Sequence, residues 1–234
     1  MKFGWLLFLF FIGLSACAHN DSIKIGDETV IIHRKERGNG KTFVHLHQNE
    51  TTALKAANTV INTQGGRLLT LIHSGERNIV FHLHGTRYEF DPNRIFSDVG
   101  IKKTLNQFGP YTVEAHKEVK KLADKIKMLL PEGKIIAVHN NSSYSLREYL
   151  PGHSLCLDAR SLSYSDKFHY RNFYLVTQKN DFVRLKNLNF NSVWQSVNAK
   201  DDGSLSIYLA ARDYINVEAG YDQLAAQINM LKNA

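Results

Sequence analysis

Three observations on this sequence predict an α/β fold: a single domain with a central mixed, mostly parallel sheet flanked by helices. Short β-branched and aromatic runs alternate with segments whose apolar residues recur at helical spacing. The strand-like runs at 42–47, β-branched and aromatic, and at 134–139, aliphatic in its centre, read as buried strands, as in a sheet covered on both faces. The remaining chain, once a leader of 16 residues is set aside, has the length of one good-sized domain.

Thr42-Phe43-Val44-His45-Leu46-His47 reads as a buried strand, followed by a helix over Thr51–Thr63 with Ala53, Ala56, Ala57, Val60 and Ile61 on one side. Gly65-Gly66 breaks that helix. Strands are then expected at Arg67–His73 and Ile79–His84, separated by a turn at Ser74–Asn78. Thr112–Leu130 carries the stripe of a long amphipathic helix, stopped by Pro131 and Gly133. Lys134–His139 and Asn172–Thr177 read as further strands, with strand candidates at Ser192–Val197 and Leu205–Arg212. A last strand at Tyr214–Val217 leads into a helix over Tyr221–Leu231. Residues 18–40 are polar and mixed and read as a tether, with one early strand around Thr29–His33.

At the start, one lysine precedes an apolar run from Phe3 to Leu14, the pattern of an export signal. The run is too short to span a membrane, which takes about 20 apolar residues. Leu14-Ser15-Ala16-Cys17 resembles the bacterial lipoprotein cleavage box, which implies that Cys17 becomes the lipid-modified first residue. The expected organisation is a signal peptide over 1–16, a lipid-anchored tether over 17–40 and a hydrolase domain over 41–234. Ala18, in the position that sorting rules read, points to the outer membrane and its periplasmic side. With Cys17 acylated, Cys156 is the one remaining thiol, so an intramolecular disulfide is excluded. The formal charge of +7 is spread along the chain with no aromatic-and-basic recognition motif, and nucleic acid is not expected as a partner.

The chemistry centres on His47-Gln48-Asn49-Glu50, where the first strong strand runs into a helix. Ligands gather at the carboxyl ends of strands in an open α/β sheet. A histidine and a glutamate three apart in such a turn can converge on one ion, and imidazole with carboxylate suits zinc. His139 ends another buried strand. Two histidines and one glutamate leave a coordination position open, as a catalytic site requires. His45 shares a strand face with His47 and is a candidate ligand or neighbour of one. His82 and His84 line the site or pack, and Cys156, in a lone His-x-x-Cys pair with His153, reads as a small buried apolar residue.

His47-Gln48-Asn49-Glu50-Thr51-Thr52-Ala53 resembles the His-Gly-Asn-Glu-Thr-Ala segment of the succinylglutamate desuccinylase and aspartoacylase branch of the zinc carboxypeptidase superfamily. Arg87, followed by Asp91-Pro92-Asn93-Arg94-Ile95-Phe96, resembles that branch's arginine and Asp-Leu-Asn-Arg-x-Phe. Val138-His139 and Asn216-Val217-Glu218-Ala219-Gly220 match its second metal histidine and catalytic glutamate in order and approximate spacing. Gln48 stands for the usual glycine and Pro92 for leucine, and the gap from Arg87 to Asn93 is one residue short.

The resemblance implies one zinc per chain on His47, Glu50 and His139, with Glu218 as general base and Arg87 facing the developing oxyanion. Asn93 and Arg94 then hold the carboxylate beside the scissile amide. It implies a zinc-dependent hydrolase acting on a peptide or N-acyl amino acid with a free carboxylate. An exported, membrane-tethered location points to a carboxypeptidase trimming cell-wall peptides. The alternatives are an N-acyl amino acid deacylase and a lipoprotein that binds without catalysis. Lys200 and Arg212 are candidate pocket cations, with surface roles the plainer reading.

Overall fold

The computed structural model describes residues 17–234; the segment expected to be an export signal, 1–16, lies outside the described residues. Eleven strands and six helices follow in the order β1 (Cys17–Ile25), β2 (Glu28–Arg37), β3 (Lys41–His45), α1 (Thr51–Gln64), β4 (Gly66–Ile72), β5 (Ile79–Leu83), β6 (Thr86–Phe90), α2 (Asp98–Phe108), α3 (Val113–Leu129), β7 (Ile135–Asn141), β8 (Ala159–Ser163), β9 (Phe173–Val176), α4 (Lys179–Asn187), β10 (Ser192–Gln195), α5 (Leu205–Tyr208), β11 (Tyr214–Gly220) and α6 (Leu224–Asn233).

Nine strands form one mixed sheet in the order β1-β2-β4-β3-β7-β11-β9-β10-β8. Its centre, β4-β3-β7-β11, is parallel throughout. Antiparallel pairings appear toward both margins, at β1-β2, β2-β4, β11-β9 and β10-β8. Period-2 alternation assigns the central residues to two cores. Val44, Leu69 and Ile135 face a core built with α2 and α3, which contribute Ile101, Leu105, Val119, Leu122 and Ile126. Phe43, Leu68, Ile136 and Val138 face the opposite core, built with α1, α4 and α6. Helices therefore cover both faces, and the central strands are apolar on both sides for that reason.

Three expectations are corrected. Residues 17–40 form a β-hairpin that extends the sheet by two strands rather than a tether, with Ile25, Val30 and Ile32 fully buried. Ile79–Leu83 leaves the main sheet and pairs with β6 in a two-stranded hairpin. Its two-residue turn, His84-Gly85, has positive φ at both positions (49° and 79°), the turn that matches strand twist. Leu205–Arg212 begins as a helical turn, because Leu205 and Leu209, four residues apart, are both fully buried on one side of it.

The chain steps from β3 through α1 to β4 on one side, and later reaches β7 on the other side of β3. Neighbouring parallel strands whose connections depart in opposite directions leave a crevice at their carboxyl ends. His47 follows β3 and His139 lies in the C-terminal half of β7, so the switch point brings them together.

Candidate functional site

Glu50 occupies the N-cap position of α1 without making a side-chain cap. The first turn is served instead by Asn140 of β7, whose Oδ1 accepts from Ala53 N at 2.7 Å. The Glu50 carboxylate is thereby left to the site. His47 Nδ1 lies 2.9 Å from Glu50 Oε1, and His139 Nδ1 lies 3.0 Å from Glu50 Oε2. The two Nδ1 atoms are 3.2 Å apart, and all three residues are buried. Among the described residues these three form a group able to hold a metal ion.

Asp91, which sequence reasoning passed over although it stands inside the Asp-Pro-Asn-Arg run, fixes the orientation of His47. Its Oδ1 accepts from His47 Nε2 at 2.7 Å and from Asn93 N at 2.7 Å. With Nε2 committed to a carboxylate, Nδ1 is the nitrogen offered to an ion. Burial pushes the His47 imidazole down, but Glu50 and Asp91 outweigh it and raise its pKa to about 9. Burial likewise raises Glu50, while His47 and His139 hold it well below the ordinary carboxylate range. A buried imidazolium between two carboxylates is the charge pattern that a divalent cation can take over, releasing the Nδ1 proton as it binds. The donor set therefore fits a metal such as zinc.

His45 is a structural residue of this turn. One ring nitrogen meets Thr70 Oγ1 at 2.8 Å and the other meets the Glu50 carbonyl oxygen at 3.0 Å, which leaves neither for an ion. Burial lowers its pKa to about 4, so it acts as a neutral bridge between β4 and the start of α1.

The three ligand candidates open on a cavity of about 500 Å³. Glu218 lines it from β11, directly across from His139 in the parallel pairing. Its carboxylate accepts from Asn141 Nδ2 at 3.0 Å and from Asn216 Nδ2 at 3.1 Å. Asn93 and Arg94 also line the cavity. Asn93 Oδ1 accepts from Leu205 N at 3.0 Å, and Arg94 pairs with Asp202 at 3.2 Å. Gly203 makes this packing possible: with φ of +78°, a Cβ there would sit 2.4 Å from the Arg94 carbonyl oxygen.

Arg87 is corrected. It is half exposed on β6, paired with Glu89 on its own strand, and does not line the cavity. Arg77 lines the cavity instead, donating to Glu50 Oε1 at 2.5 Å and lying 3.4 Å from Asp91 Oδ2. Hairpin register explains the exchange. Ile79 pairs with Phe90, which brings Arg77 beside Asp91, whereas Arg87 pairs with His82 toward the turn. His82 and His84 are exposed and pair with Asp27 and Glu114, away from the cavity. Lys200 reaches the mouth of the cavity, while Arg212 donates to the Pro131 carbonyl oxygen elsewhere. Cys156 is partly buried beside the cavity-lining Leu155, and Cys17 is exposed at the start of β1.

No protein-family model and no curated protein matches the sequence. Among solved structures, an aspartoacylase family protein from Mesorhizobium loti is similar over 95% of this chain, with 10% identity and a TM-score of 0.44. This chain covers 66% of the length of that protein.

Proposed function

We propose that the protein is a metal-dependent hydrolase that cleaves an amide bond beside a free carboxylate, with an N-acyl amino acid as its substrate class. One observation carries the reading: a buried donor set of two imidazoles and a carboxylate shares a cavity with a separate carboxylate, Glu218, in register across from His139. His47, Glu50 and His139 would hold a zinc ion, which would supply Lewis acidity to water and to a carbonyl.

The chain's own groups supply the rest. Glu218 takes a proton from water and passes it to the leaving nitrogen. Asn141 and Asn216 donate to its two oxygens and fix the direction in which the carboxylate faces. Arg94 receives the substrate carboxylate in a planar, charge-assisted pairing and releases Asp202 to do so. Arg77 keeps Glu50 and Asp91 in place and adds positive charge where a carbonyl oxygen becomes anionic. No residue of the cavity singles out a cell-wall peptide, and a space of about 500 Å³ suits a small substrate.

Membrane attachment belongs to the same proposal: Cys17 carries lipid and holds the enzyme on the periplasmic face of the outer membrane. Among the described residues no helix is long and apolar enough to cross a membrane. Cys17 is part of β1, so a lipid carried on it adjoins the edge of the sheet.

The test combines elemental analysis with turnover of an N-acyl amino acid panel. The wild type is expected to hold close to one zinc per chain and to hydrolyse members of the panel. Glu218→Gln should keep the zinc and lose roughly 10²- to 10⁴-fold in rate. Stoichiometric zinc in a His47→Ala, Glu50→Ala double variant refutes the metal site. Zinc-loaded wild type that turns over nothing while binding panel members favours a binding lipoprotein.

A further inference from the structure

Residues 73–78, which carry Arg77, cross from β4 in the main sheet to β5 in the separate hairpin. Ser74, Gly75, Glu76 and Arg77 are all exposed, and the backbone–backbone hydrogen bonds made outside helices and sheets include none from this segment. Little in the segment itself holds it to one conformation, and a long arginine side chain adds its own rotamer freedom. The guanidinium is nevertheless set on two buried carboxylates, 2.5 Å from Glu50 Oε1 and 3.4 Å from Asp91 Oδ2.

Side chains from outside the loop hold its two ends. At the hairpin end, Glu89 Oε1 accepts from Asn78 Nδ2 at 2.8 Å. At the sheet end, Gln48 Oε1 accepts from His73 N at 2.6 Å and from Gly75 N at 3.0 Å. Both donors are backbone N–H groups, so the carboxamide oxygen is necessarily the end turned to them. Gln48 stands between His47 and Glu50, in a turn closed by the bond from Glu50 N to the His47 carbonyl oxygen at 3.0 Å. The turn that presents two ligand candidates therefore also grips the loop that carries the arginine beside them. Gln48 does not line the cavity, so its side chain reaches the reaction through the loop.

We propose that Gln48 is a positioning residue for Arg77: its two bonds to the backbone of the 73–78 loop set the guanidinium over Glu50 and Asp91, where it faces the cavity. What Arg77 then does for the reaction rests on the amide-hydrolase reading; the clamp rests on the hydrogen bonds. The ion pairs do not make the clamp redundant. Arg77 is 44% exposed, where pairing is worth little, and a cation bound by Glu50 competes with it for the same carboxylate. The uncharged clamp is untouched by that competition. Its loss removes positive charge from the place where a carbonyl oxygen becomes anionic and leaves the substrate's other contacts intact, so the effect belongs in kcat rather than KM.

The test compares Gln48→Met, Arg77→Met and the double variant with the wild type, each full-length and zinc-loaded. Methionine keeps the length of glutamine without its carbonyl acceptor, and Gln48→Ala takes its place if it does not fold. Amide hydrogen exchange followed by NMR should show His73 and Gly75 protected in the wild type and exchanging at least about tenfold faster in Gln48→Met. Zinc content should not change. With an N-acyl amino acid substrate, Arg77→Met should lower kcat about 10²- to 10³-fold, and Gln48→Met at least about tenfold with KM within about twofold of wild type. Adding Gln48→Met to Arg77→Met should change kcat by less than about twofold, because the clamp then has nothing to position. Unprotected amides in the wild type, zinc loss or unchanged kcat in Gln48→Met, or additive losses in the double variant overturn the inference. A wild type that turns over nothing refutes the hydrolase reading instead, and the exchange rates still decide the clamp.

Discussion

Replacing Asp91 with asparagine tests whether the orientation of His47, rather than its mere presence, makes the metal site. The substitution keeps the shape of the side chain and its capacity to accept from Asn93 N, so the turn that carries Asn93 and Arg94 survives. What it removes is negative charge 2.7 Å from His47 Nε2 and 3.4 Å from Arg77. An imidazole that donates to a carboxylate is a better electron-pair donor at its other nitrogen, and loss of such a partner lowers metal affinity by about 10- to 100-fold. That range corresponds to about 1.4–2.7 kcal/mol. Most of it should appear as weaker binding, because Glu50 and His139 meet each other without Asp91. Zinc affinity is measured by competition with a chromophoric chelator, with circular dichroism to confirm the fold. A folded Asp91→Asn protein whose zinc affinity stays within about twofold of wild type would refute this account of His47.

Three further outcomes follow from the same geometry. Arg94→Ala should raise KM by about 10-fold or more for substrates with a free carboxylate, whereas Arg87→Ala, an exposed ion-pair partner outside the cavity, should leave kcat and KM within about twofold; the reverse pattern in steady-state kinetics would reinstate Arg87. Asp181 is buried between Lys134 at 2.7 Å and Arg184 at 3.0 Å. Burial raises its pKa, but the two cations outweigh this and hold it below 3.8, so its stabilisation is present at neutral pH and fades as pH falls through the depressed value. Asp181→Asn should therefore lose about 1–2 kcal/mol in urea unfolding at pH 7 and less at pH 3, and an equal loss at both pH values contradicts the pairing. Cys17→Ser should move the protein from the membrane to the soluble fraction, and continued membrane fractionation excludes the lipid anchor.

Local sequence was sufficient for the core of the fold. The run from Lys134 to His139 is decided by its unbroken aliphatic stretch and the stripe from Val113 to Leu129 by helical periodicity, which residues a few positions apart contain in full. The same holds for His47 and Glu50, whose three-residue spacing in a strand-to-helix turn makes convergence a local matter. Of the hairpin over 17–37 only the inner strand was legible, around Thr29–His33; the outer strand is largely exposed and shows little hydrophobic pattern, and the hairpin's place in the sheet depends on pairing between β2 and β4, 29 to 41 residues along the chain.

Tertiary structure decided the rest. Whether Arg77 or Arg87 faces the cavity turns on the register of one hairpin, and both arginines sit in similarly polar surroundings in the sequence. Asp91 meets His47, and Asn141 meets Glu218, across gaps that no periodicity spans. His45 and His47 are equivalent by strand alternation, and they part only because Thr70 and the Glu50 carbonyl occupy both nitrogens of His45. A residue's type limits the bonds it can make, but which bond it makes is set by the groups that folding places within about 3 Å of it.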